Sequence, residues 1–218
     1  MLRFLTPTRR LFLETVGATA LAAVVPSMAH ADDKSDVPIE QLMVDQPLPD
    51  VVLGDGNAPV TIVEYASMTC PHCARFYAGV FPALKAKYID TGKAKFILRE
   101  FPLDPYAAAA ALLIRCAGAD KREALAGVIW SRLDEWTANP KPLVGLLDVV
   151  KVAGFTQDSF DSCLKNKDLY AKLKAGQDMA SNKFQVDSTP TFFVNGKRVS
   201  GETSIDEFSK VIDPLLPK

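Results

Sequence analysis

The residues best suited to chemistry in this chain are two cysteines three positions apart, in the tetrapeptide Cys70-Pro71-His72-Cys73. They follow a strongly apolar run, Val60 to Tyr65, and open a segment that reads as a helix. Two thiols held one turn apart at a helix start are suited to disulfide exchange. The unpaired N–H groups and dipole of a helix N-terminus favour negative charge, so Cys70 is expected to ionise more readily than a free thiol of pKa about 8.5 and to act as the nucleophile. Cys73, a turn further in, is then the resolving thiol, which attacks Cys70 within a mixed disulfide and releases the partner. Pro71 fixes φ and lacks an N–H that an early helical position leaves unpaired anyway. His72 can add a donor or a positive charge beside the thiolate. Both favour the ionised, reduced form, and a dithiol whose reduced form is stabilised is an oxidant.

Other uses of paired cysteines fit less well. A zinc site calls for a second pair, whereas Cys116 and Cys163 stand alone and no spaced histidine pair exists. Covalent haem attachment needs histidine directly after the second cysteine, and that position is Ala74. No metal or cofactor is therefore expected. Binding of a soft metal such as Cu(I), on a carrier or chaperone, is the reading from a different class, and the lack of a Met-rich or His-rich tract argues against it. Glu64 sits inside the apolar run, where a charged carboxylate is costly to bury. It is expected either to carry a raised pKa or a water path, or to point to solvent at a strand edge.

The elements that must position these groups follow from the pattern. Residues 1–31 read as a cleavable export signal: Arg9-Arg10-Leu11-Phe12-Leu13, an apolar stretch from Val16 to Val25, then Ala29-His30-Ala31 before Asp32. The paired arginines have a twin-arginine character, with the ordinary secretory route as the alternative. That stretch is about half the roughly 20 residues a bilayer requires. The leader holds three of the 25 basic residues and one of the 26 acidic ones, so the remainder carries a formal charge of −3, which gives no footing for nucleic acid. It also holds His30, leaving His72 as the sole imidazole of the exported chain.

Asp32 to about Pro49 reads as an arm, too short for a dimerisation domain, leading to a strand near Val51 to Leu53. The strand Val60 to Tyr65, a helix from about Cys70 to Ile89 and a strand at Ala94 to Glu100 make a β-α-β unit. Residues 104–184 are helical and alanine-rich, with breaks near Gly118, Asn139-Pro140, Gly154 and Asn166. Thr191 to Val194 and Arg198 to Ser200 flank a turn of Asn195-Gly196-Lys197, a strong hairpin signal, before a last helix from about Ser204 to Ile212. The organisation expected is thus an arm and first part of the main domain over 32–103, a helical insertion over 104–184, and the remainder of the domain over 185–218. Cys116 and Cys163 both fall in the insertion. They either form a structural bridge, worth about 4 kcal/mol on a chain-entropy account, or remain two buried thiols on separate helices.

At this point the chain resembles the DsbA family of bacterial thiol oxidases within the thioredoxin superfamily. The stretch from Glu64 to Cys73 is similar to the family's active-site strand and helix start, and that from Ser188 to Gly196 to its proline loop and hairpin. The resemblance implies an α/β thioredoxin fold with an inserted helical subdomain. It implies that Pro190 is a cis-proline facing the dithiol, with Thr189 exposing backbone to an incoming substrate strand, and that Glu64 assists proton transfer to the buried thiol. A second disulfide like Cys116–Cys163 occurs in some members. Met68 and Phe76 are candidate substrate contacts, with a core role the alternative for Phe76. The implied protein is a monomeric periplasmic oxidase that passes the Cys70–Cys73 disulfide to reduced, unfolded exported proteins and is reoxidised by a membrane-embedded, DsbB-like partner. A disulfide isomerase or reductase is the alternative: threonine before the proline favours it, and the short arm does not.

Overall fold

The computed structural model describes residues 35–201 and 203–217, so the expected export signal lies outside the described residues. In chain order the elements are helix α1 (Ile39–Leu42), strands β1 (Val52–Leu53) and β2 (Val60–Ala66), helices α2 (Pro71–Gly79) and α3 (Phe81–Leu84), which runs on into a π-helical turn at Lys85–Ile89, and strand β3 (Ala94–Glu100). Helices α4 (Pro105–Cys116), α5 (Ala119–Ser131), α6 (Leu133–Thr137), α7 (Pro142–Val150), α8 (Gln157–Leu164) and α9 (Lys167–Phe184) follow without a strand between them. Strands β4 (Thr191–Val194) and β5 (Lys197–Ser200) and helix α10 (Ile205–Ile212) complete the order.

The strands form one sheet in the order β1-β3-β2-β4-β5. Strand β2 runs parallel to β3, from Val60 opposite Ala94 to Ala66 opposite Glu100, and antiparallel to β4, from Ile62 opposite Val194 to Tyr65 opposite Thr191. This central place explains why its apolar residues fall on both faces rather than on one: all seven of its residues are buried, Thr61 and Glu64 included. On one face Val60, Ile62 and Ala66 pack with Cys73, Phe76, Phe96 and Phe192, and on the other Val63 and Tyr65 pack with Phe101, Phe184 and Phe193. The sheet with its helical stretch inserted between β3 and β4 is the thioredoxin architecture expected.

Helix α4 is apolar on every side because it is a core helix: Ala107 to Ile114 are all buried. Asp104 caps it, Oδ1 accepting the backbone N–H groups of Tyr106 and Ala107, each at 2.8 Å. Glu100, at the end of β3, takes Arg115 of α4 in a bidentate pair at 2.6 Å and Arg122 of α5 at 2.7 Å, which fastens the insertion to the sheet. Burial alone would raise the Glu100 pKa, but Arg122 and Arg115 hold it below the usual carboxylate range. Cys116 and Cys163 form a disulfide joining α4 to α8, with Cα atoms 6.2 Å apart, which resolves the choice between a bridge and two free thiols.

Four features differ from expectation. The arm contains helix α1, a single turn too short to show periodicity. The helix expected from Cys70 to Ile89 is interrupted after Gly79, because Pro82 has no N–H to bond back to the turn before it. A further break falls at Arg132, between α5 and α6, where no glycine or proline marks it. The hairpin turn tightens to Asn195-Gly196, both at positive φ (46° and 89°) as a type I′ turn requires. A Cβ on Gly196 would lie 2.1 Å from the Val37 carbonyl, since the arm crosses the turn there and Val37 N–H bonds the Gly196 carbonyl at 2.9 Å.

Candidate active site

Strand β2 delivers the chain through Ser67, Met68 and Thr69 to Cys70, which is the N-cap of α2 with extended backbone angles (φ −80°, ψ 117°). Pro71 is the first helical residue, and Ala74 N–H bonds the Cys70 carbonyl at 3.1 Å. Cys70 is 5 % exposed and Cys73 has no exposed surface, whereas Pro71 and His72 lie in the open. Facing them, the Thr189–Pro190 peptide bond is cis at the start of β4. The thiol of Cys70 donates to the Thr189 carbonyl at 3.3 Å.

The two sulfurs have the same chemistry and opposite surroundings. The Cys70 thiol is lowered to about 5: a hydrogen bond from the Cys73 thiol does most, against a desolvation penalty, and the Thr189 side chain and the backbone N–H groups of Cys73 and His72 add to it. The Thr189 hydroxyl is buried and committed to no other group, which leaves it to serve the Cys70 thiolate. Burial pushes the Cys73 thiol far up, and the hydrogen bond it gives Cys70 pushes the same way, as does Glu64 wherever it ionises. One sulfur is thus thiolate at neutral pH and the other stays protonated.

Glu64 is fully buried, and neither carboxylate oxygen has a hydrogen-bond partner. It cannot point to solvent at an edge, because β2 lies inside the sheet with β3 and β4 on either side. Strand alternation puts it on the face of Ile62 and Ala66, the face that packs with Cys73. Desolvation, with a smaller contribution from Cys70, raises its pKa well above the carboxylate range, which favours the protonated form and a proton held near Cys73.

His72 turns its ring toward Arg75: Nδ1 is 2.8 Å from the guanidinium, which can only donate, so Nδ1 accepts. His72 also gives Cys70 its main-chain N–H. Met68 and Phe76 do not line a substrate surface. Met68 is 1 % and Phe76 3 % exposed, and Phe76 stacks into an aromatic cluster with Phe192 (ring centroids 4.7 Å apart), Phe81 and Phe208. A cleft of about 280 Å³ does open beside the dithiol, lined by Pro71, Ala74 and Arg75 of α2 and by Trp130 and Leu133. Sequence reasoning missed the side chains that hold the approach to Cys70, namely Ser67, Thr69, Asp104 and Trp130. Asp104 followed by Pro105 was a visible helix-start signal, though its link to Thr69 was not.

The thioredoxin family's sequence model, described as Thioredoxin, matches residues 47–214. A protein of Rickettsia conorii named as a protein-disulfide oxidoreductase is 38 % identical over 77 % of this chain and 60 % of its own length, so the chain spans about 60 % of the curated relatives it matches first. Among solved structures, Wolbachia pipientis alpha-DsbA1 is 34 % identical with a TM-score of 0.74, covering 82 % of this chain and 96 % of that one. A protein-disulfide isomerase from Novosphingobium aromaticivorans is 25 % identical with a TM-score of 0.69, covering 77 % of this chain and 99 % of that one. With a dithiol at a helix start, a cis-proline opposite it and relatives of this kind along most of its length, the chain belongs to the DsbA family of the thioredoxin superfamily.

Proposed function

We propose that this protein is a dithiol oxidase of the periplasm that donates the Cys70–Cys73 disulfide to reduced exported proteins. The observation that carries this reading is the place of Cys70 at the N-cap of α2, opposite the cis Thr189–Pro190 bond and among hydrogen-bond donors that lower its pKa to about 5. The more the reduced form is stabilised, the more readily the disulfide is given away. A substrate thiolate attacks the Cys70 sulfur of the disulfide, forming a mixed disulfide and expelling Cys73 as a thiolate. The environment of Cys73 strongly disfavours that charge, so it takes up a proton at once, and Glu64 is the acid placed to give it. A second substrate thiolate then attacks the substrate sulfur of the mixed disulfide, which leaves an oxidised substrate and the Cys70 thiolate, a good leaving group. The partner would lie across Thr189 and Pro190, with His72 and Pro71 exposed beside it.

The leader-like residues 1–31 support export, and among the described residues no helix is long and apolar enough to cross a membrane. Reoxidation is then the task of a membrane-embedded, DsbB-like partner, with the oxidase acting as a monomer. Isomerase or reductase activity is the second reading. Thr189 and the isomerase name of the Novosphingobium relative favour it.

The test is the equilibrium of Cys70–Cys73 with a glutathione buffer, in a variant with Cys116 and Cys163 replaced by serine so that one couple titrates. A potential around −120 mV, as in DsbA, supports the oxidase, and one around −270 mV, as in thioredoxin, overturns it in favour of a reductase.

A further inference from the structure

The segment between β2 and the nucleophile is held from the insertion side by side chains and backbone that the exchange reaction itself does not use. Trp130 Nε1–H of α5 donates to the Ser67 carbonyl at 3.0 Å, the same carbonyl that accepts Cys70 N–H at 3.2 Å. Leu103 N–H reaches Ser67 Oγ at 3.4 Å, and Ser67 Oγ lies 3.2 Å from Thr69 Oγ1. The Thr69 hydroxyl donates to Asp104 Oδ2. Asp104 thereby divides its carboxylate: Oδ1 caps the first turn of α4 and Oδ2 grips the residue immediately before Cys70. A carboxylate can accept at both oxygens at once, and bonds to an ionised acceptor are the stronger kind.

This matters because the thiolate of Cys70 depends on aim. Its stabilising partners are the Cys73 thiol, the Thr189 side chain and main-chain N–H groups, fixed points toward which the sulfur must be held. Only Met68 and Thr69 lie between Cys70 and the remaining anchors at Ser67, and Thr69 adjoins the nucleophile. We propose that the helical insertion sets the reactivity of Cys70 through the Thr69–Asp104 hydrogen bond, with Thr69 and Asp104 as positioning residues. The inference rests on the thiol-exchange function proposed above and adds a control point to it: a partner that shifts the start of α4 alters the nucleophile without touching it.

Thr69→Val is the discriminating variant, because valine keeps the shape, removes the hydroxyl and leaves the Asp104 cap of α4 intact. In the full chain, the Cys70 titration followed by ultraviolet thiolate absorbance is expected to move upward. The rate of oxidising a reduced model peptide is expected to fall roughly 10- to 100-fold, the scale on which a slightly misplaced reacting group loses rate. Thr69→Ser, which restores the hydroxyl, should return both readouts to native values. Thr69→Ala carries the same comparison should the valine variant not accumulate as folded protein. A valine variant with native titration and rate overturns the proposal. So does a serine variant as impaired as the valine one, which would mean that side-chain bulk and not the hydrogen bond matters. A native potential near that of thioredoxin would sink the oxidase reading while leaving the titration comparison intact, so the two ideas fail separately.

Discussion

Cys70, Cys73 and Glu64 show how far burial can separate groups in one small site. Cys70 sits at a helix start among donors and ionises easily; Cys73, a turn away, is buried and does not. Glu64 is the third party, an acid kept neutral by desolvation. A group whose folded pKa is raised contributes its full stability below its unfolded pKa, about 4.3 for glutamate, and that contribution is lost as pH rises through the folded value. Glu64→Gln removes the titration. The variant should therefore equal the native protein in stability near pH 4 and exceed it increasingly in mildly alkaline buffer, as read by denaturant midpoints. Formation of the mixed disulfide, in which Cys73 leaves and takes up a proton, should slow by about 10²-fold, the usual contribution of a positioned acid or base, with the rate at which the oxidised variant is captured by a reduced peptide as the measurement. A variant that loses stability in alkaline buffer would show that the carboxylate is charged in place. Part of this site was legible in the chain: the dithiol by its spacing, and Pro190 only through the family resemblance, since its own residues read equally as a proline opening a strand. The Thr69–Asp104 bond was not, because its partners are 35 positions apart and each has an ordinary local explanation.

At the scale of elements, Glu100 is the rivet between sheet and insertion. Its side chain and that of Arg122 are each 3 % exposed, and Arg115 completes the cluster. Removing one partner of a buried ion pair leaves the other charge uncompensated, so Glu100→Gln should cost roughly 3–5 kcal/mol at neutral pH, measured by chemical denaturation. Because its folded pKa is depressed, the contribution of Glu100 is complete above about pH 4.3 and is lost as pH falls through the folded value. The gap between variant and native protein should close in acid, and a gap independent of pH would assign the cost to packing alone. The strands were legible because a central strand carries apolar residues on both faces and an Asn-Gly turn marks the β4–β5 hairpin. The break at Arg132 was not, since its cause is tertiary: Leu133 and Trp136 turn into the core just beyond it, with no glycine or proline to mark the change of direction.

Over the whole molecule, the fold closes by long-range pairing. Strands β2 and β4 are neighbours although the entire insertion lies between them in sequence, and the arm crosses the final hairpin at Gly196. The Cys116–Cys163 disulfide closes a loop of 47 positions inside that insertion. Replacing both cysteines by alanine should lower stability by about 2–4 kcal/mol in the denaturant midpoint while leaving the Cys70 titration in place; an unchanged midpoint would make the bridge incidental. The same bridge has a consequence for supply. Under the proposed function the protein contains the product of its own reaction, so each newly exported copy, arriving with four thiols, belongs to the class of molecules that earlier copies process. Maturation then feeds on itself: the pool of finished enzyme grows faster the larger it already is, and a cell that has run out of it must make its first bridge by some slower route.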